Sequence, residues 1–163
     1  RWTLDSAANI ASAAQLLANA DVSASSSINL ASFEQGVGAA ITVELYPGGP
    51  GFVLPDGSGY LLHTNHFLAD NPARHDTEPK KNPDTLLRLN HLRRRLLPMP
   101  HASVADVLRV MSSHSGGQGA VCCHHDPLAA PGAQYETLST VILGLDTGVL
   151  TVRAGGPCGH MAG

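Results

Sequence analysis

Residues 25–46 constrain this chain most. "SSSINLAS" and "AAITVELY" are both β-prone and are parted only by a turn at Gly36–Gly38, so the segment reads as a hairpin. Ahead of it, "LDSAANIASAAQLLANAD" places Leu4, Ala8, Ala11, Ala14, Leu17 and Ala18 on one face, a helix with Asp5 or Ser6 as its N-cap. Behind it, the turn-dense "PGGPGFVLPDGSG" brackets a short strand at "FVL", and "YLLHTNHFL" reads as a further strand. Alternation along that strand puts His63 and Asn65 on one face and Thr64 and His66 on the other. Residues 69–81 form a polar loop. Asn82 as N-cap, Pro83 at the first helical position and Asp84 in the first turn then open a helix. Its apolar stripe is Leu86, Leu89, Leu92 and Leu96, with Arg88, His91 and Arg95 away from it and Pro98 at its end. Ser103 and Asp106 cap a third helix with Val104, Val107, Leu108 and Met111 inward. "TLSTVILGL", the turn "DTG" and "VLTVRAGG" close the chain as a second hairpin. Helices and strands come in separate runs with no βαβ alternation, so the predicted class is α+β with antiparallel sheet.

At 163 residues the chain suits one domain with a real core. It is 14% charged with a net charge of −3, which does not suit a nucleic-acid partner. Residues 1–73 hold one basic and six acidic groups, residues 74–109 eight and four, and residues 110–163 one and three. The basic segment includes "RRR" at 93–95, read as a solvated helix face rather than a binding patch. Three cysteines, two of them adjacent, make no disulfide framework and lean the chain towards a reducing, cytoplasmic compartment. No apolar run reaches membrane-spanning length, so no membrane partner is expected. The chain opens at Arg1 on what already reads as the lead-in to a helix, and is expected to be a piece of a longer product.

"HTNH" and "CCHHD" hold metal-ligand residue types, yet neither carries a C-x-x-C pair or an H-E-x-x-H helix. On spacing, then, no metal site is expected; a weaker reading would join His63, His124, His125 and Asp126 around one ion. In an extended segment Cys122 shares a side with His124 and Cys123 does not, which leaves one thiol–imidazole pair. Core packing is the preferred reading of both cysteines. No G-x-S-x-G elbow and no P-loop lysine are present.

Taken together, "GSGYLLHTNHFL", "PDTLLRLNHLRRRL", "SVADVLRVMSSHSGGQGAVCCHHDP" and "ETLSTVILGLDTGVLTVRAGGP" resemble the acyl-CoA:isopenicillin N acyltransferase family. These are self-processing cysteine N-terminal-nucleophile hydrolases. The most specific pieces are "HTNHFL", the step from Cys122 to His124, and the closing strand with Thr137, Ser139 and Val141. The resemblance implies that residues 1–163 are the C-terminal part of a four-layer αββα sandwich with antiparallel sheets, and that no cofactor is needed. It implies a cysteine, freed by autoproteolysis, that attacks an amide or thioester carbonyl with its own α-amine as base. Matched by motif, Asn65 is the residue whose amide meets the oxyanion. Thr85 and Arg88 occupy the family's substrate-binding region, Arg88 either as a clamp for a carboxylate or as an exposed helix arginine. The histidines are expected to frame the strand by hydrogen bonding, with His63 also a candidate to line the pocket. The implied partners are a small-molecule acyl donor (acyl-CoA among the candidates) or an N-acyl amino acid, and an upstream segment carrying the nucleophile.

That cysteine is not in this sequence, and Cys122, Cys123 and Cys158 lie too late in the fold to replace it. A piece supplying the oxyanion donor and part of the substrate pocket is therefore the expectation. The alternative is a non-catalytic remnant that keeps the fold and binds an acyl-amino ligand or a protein partner.

Overall fold

A computed structural model describes residues 1–159 of the chain. Its elements are mixed α and β, with six α-helices and two small antiparallel sheets among the described residues, in keeping with the α+β class. The chain divides into two compact units, Arg1–Lys81 and Asn82–Gly163.

In the first unit the single helix expected at the start is two, α1 (Trp2–Ser6) and α2 (Ile10–Ala18). Asn9 breaks it: its side chain accepts from the Ser12 amide at 2.9 Å, while the Ser12 hydroxyl accepts from the Asn9 amide at 3.1 Å. That reciprocal cap offers the backbone an exit that the alanine pattern conceals. Strands β1 (Ser26–Glu34) and β2 (Val37–Leu45) form the predicted hairpin, and β3 (Gly51–Val53) pairs with β2 in the order β1-β2-β3. The turn lies one step earlier than expected, on Gln35 and Gly36, both with positive φ, which matches the twist of the flanking strands. The last four residues of β2 are buried on both faces. Leu17 of α2 meets Val43 and Leu45 there, with Ala14, Val22, Ile28 and Leu30 packed around them.

The predicted strand at residues 60–68 does not form; the segment is irregular, with a bend at Asn65 and His66. Its leucines and phenylalanine read as strand, but its Phe67 and Leu68 amides go to the Asp76 and Glu44 carboxylates rather than to a ladder. The polar loop expected next contains two short helices, α3 (Asp70–His75) and α4 (Glu78–Lys81).

In the second unit, α5 (Asp84–Leu96) starts within two residues of the expected point. Its buried face is Thr85, Leu89, Leu92 and Leu96, and Leu86 is 45% exposed, so the stripe is rotated from the leucine pattern. The predicted capping box opens α6 (Val104–Met111), where the Asp106 amide donates to the Ser103 hydroxyl at 3.2 Å. Val104 is exposed rather than inward. Strands β4 (Ser139–Gly144) and β5 (Val149–Ala154) make the closing hairpin. No helix among the described residues is long and apolar enough to cross a membrane.

Candidate functional site

Glu44, near the end of β2, organises the segment that carries Asn65. Its carboxylate is wholly buried and accepts from the Leu68 amide at 2.6 Å, the Ala69 amide at 2.9 Å and His63 Nε2 at 2.8 Å. His63 Nδ1 faces the Thr64 carbonyl at 2.5 Å. Both ring nitrogens are therefore engaged. Further along, Asp76 accepts from the Phe67 amide at 2.7 Å and the Glu78 amide at 2.8 Å, and Thr64 Oγ1 meets His66 Nδ1 at 3.1 Å. The loop is thus clamped on each side of its bend, and Asn65 stands exposed at that bend. It borders a polar cleft of about 340 Å³ lined by Ser25, Ser27, Thr64, Phe67, Asp76 and Glu78 among others.

His63 was weighed both as a hydrogen-bonding frame for its segment and as a lining of the pocket. Its side chain is 6% exposed and both ring nitrogens are engaged, so it anchors the loop. The expected sharing of a strand face by His63 and Asn65 lapses with the strand.

Thr85 and Arg88 belong to the second unit. Thr85 has no exposed surface and packs in the core face of α5, which removes it from contact with a substrate in this conformation. Arg88 is half-buried; its Nη2 and Nε lie 3.0 and 3.1 Å from Asp84 Oδ2, a pair one helical turn apart. It borders a groove of about 660 Å³ together with His91, Arg94, Arg95 and Ser115. The groove places Arg88 with two further arginines and His91, with the Asp84 carboxylate in the same lining, so that the arginines outnumber the acid and suit an anionic group.

A third arrangement was not foreseen. His114, Cys122, His124 and Cys158 each present one ligand atom, all within 4.8 Å of one another. Cys122 and His124 do share a side, as expected, at 3.7 Å, whereas Cys123 turns away to Gln118 and the Tyr135 carbonyl. Burial pushes the Cys122 and Cys123 thiols up from their ordinary range, which argues against either as a reactive thiolate without further help. Of the four residues weighed earlier as metal ligands, only His124 is here. His63 is held by Glu44, His125 is exposed, and Asp126 accepts from the Leu128 amide.

Glu44 and Asp76 went unnoticed in the sequence. The available signal was Glu44 itself, a carboxylate in "ITVELY" where the strand is otherwise apolar. No family model, curated protein or solved structure matches this chain.

Proposed function

We propose that the chain is the C-terminal part of a cysteine N-terminal-nucleophile acyltransferase or amidohydrolase within a four-layer αββα sandwich. Its substrates would be amide or thioester compounds of the N-acyl amino acid, peptide or β-lactam-like kind. The reading starts from the motif resemblance. The observation that supports it most is Asn65 on a loop whose flanking residues are fastened to Glu44 and Asp76. An oxyanion donor has to be held before charge develops, because a donor that must first be ordered forfeits its advantage. A thiolate from the upstream segment would add to the carbonyl carbon, the carbonyl oxygen would take the negative charge, and the Asn65 amide would donate to it. Collapse would expel the amine or thiol and leave a thioester that water or an acceptor amine resolves. In the second unit, the groove at Arg88, Arg94 and Arg95 would by itself suit a carboxylate or phosphate.

The closing hairpin adds support for the sandwich. Cross-strand pairs Val141–Val152 and Leu143–Leu150 put four aliphatic side chains on one face, each more than half exposed. A second sheet would cover them.

The test is the product of the complete reading frame, read by intact mass and N-terminal sequencing. Two chains are expected, the larger beginning with Cys and containing Asn65. Asn65→Ala should then lower kcat on N-acyl amino acids by about 10²–10³, with little change in KM. A single uncut chain would set this reading aside in favour of the non-catalytic remnant.

A further inference from the structure

We propose that His114, Cys122, His124 and Cys158 hold one zinc-class divalent ion as a structural site. The proposal uses only residues of the second unit and does not depend on the reading of Asn65.

The decisive observation is at His124. Its Nε2 lies 3.1 Å from His114 Nε2, 3.7 Å from Cys122 Sγ and 3.3 Å from Cys158 Sγ. A ring nitrogen has a single proton or a single lone pair, so it satisfies one of those three partners by hydrogen bonding. Three close donors crowding one nitrogen are explained when all four atoms are corners of a polyhedron around one ion. Zinc bonds of about 2.3 Å to sulfur and 2.0–2.1 Å to nitrogen set tetrahedral edges of roughly 3.3–3.8 Å. The two sulfur separations from His124 fall in that range, the 3.1 Å nitrogen pair is shorter, and the four atoms together lie within 4.8 Å, so an ion would draw the set closer. Two thiolates and two imidazoles suit a borderline-soft, tetrahedral ion, and four protein ligands leave no open position for catalysis.

The surrounding backbone is shaped for the gathering. Gly116 and Gly117, both at positive φ, turn the chain after His114, and the Cys122 amide donates to the Ser113 carbonyl at 3.0 Å. On the other side a Cβ at Gly156 would stand 2.4 Å from Cys122 Sγ, so only glycine lets the segment leading to Cys158 approach. Arg153 Nη1 donates to the Pro157 carbonyl at 3.3 Å and holds that segment against β5. A cleft of about 260 Å³ bordered by His114, Cys122 and His124 gives an ion access. The ion would tie together the segment after α6, the segment at 120–126 and the exit of the closing hairpin, none of which shares a sheet or helix.

The test uses the product of the complete reading frame, stripped of metal, reduced and titrated with cobalt(II). One cobalt per chain is expected, with the intense visible absorption of a tetrahedral site and a thiolate-to-cobalt band in the near ultraviolet, both abolished by equimolar zinc. Cys158→Ser and His114→Ala should each weaken cobalt binding by roughly tenfold or more, while His125→Ala leaves it unchanged. Cys158→Ser should also diminish the thiolate band, a change that general loss of structure in His114→Ala would not mimic selectively. Weak octahedral absorption, or binding indifferent to Cys158 and His114, would overturn the proposal. So would an intact mass lacking two thiol hydrogens, with Cys122 and Cys158 joined as a disulfide in freshly purified protein. The autoproteolysis result is read separately by mass, so either proposal can fail alone.

Discussion

Glu44 carries more of the first unit than its place in a strand suggests. A carboxylate with no exposed surface is costly unless its lone pairs are filled, and here two amides and an imidazole fill them. Glu44→Ala would strand the Leu68 and Ala69 amides and the His63 ring together, and is expected to lower stability by about 3–5 kcal/mol. Urea unfolding measures that loss, and hydrogen exchange localises it: the Leu68 and Ala69 amides should lose protection well beyond the strands β1 and β2. Equal loosening throughout the unit would mean that Glu44 supports the core and not the loop. Asn65 was singled out on its motif alone. The residues that hold it were not, because Glu44 is nineteen or more positions from its partners and no local spacing links them.

Of the reciprocally capped helices α2 and α6, the cap of α6 was legible in the sequence and that of α2 was not. Ser103 and Asp106 announce α6 from the sequence, since the reciprocal bonds need only their spacing of three. The Ser103 hydroxyl foremost, then the Ser103 amide and Arg109, hold the Asp106 carboxyl below its ordinary range. A depressed carboxyl contributes stability that is present above its unfolded value and is lost as pH falls through its folded value. A carbon-detected titration should therefore place the Asp106 midpoint below that of an unfolded peptide, and Ser103→Ala should move it up. A midpoint unmoved by Ser103→Ala would leave the depression without its main cause. Elsewhere local pattern misled. The leucines of α5 suggested a stripe through Leu86, yet the buried position is Thr85, because packing and not hydropathy chose the rotation. The run from Tyr60 to Leu68 has strand composition, but side-chain carboxylates from elsewhere in the unit claim its Phe67 and Leu68 amides.

At the level of the whole molecule the α+β class followed from the order of elements, whereas the His114–Cys158 cluster could not. It joins positions 44 residues apart that no motif spacing connects, and only the hairpin's return brings Cys158 to Cys122. The same hairpin offers the sharpest test of the sandwich. Val141, Leu143, Leu150 and Val152 form one aliphatic face, with Val152 62% exposed. Isolated surface apolar residues need no explanation, but a contiguous face on a sheet usually marks a covered surface. If a second sheet lies over it in the complete protein, Val152→Glu would bury an unpaired carboxylate and cost several kcal/mol. Leu128, 93% exposed in a loop, supplies the control: Leu128→Glu should change stability by less than about 0.5 kcal/mol. Thermal unfolding of both variants, made in the complete reading frame, decides between them. A large loss for Val152→Glu alone is the expected outcome; two neutral variants would leave the face in water and remove the sandwich's main structural support.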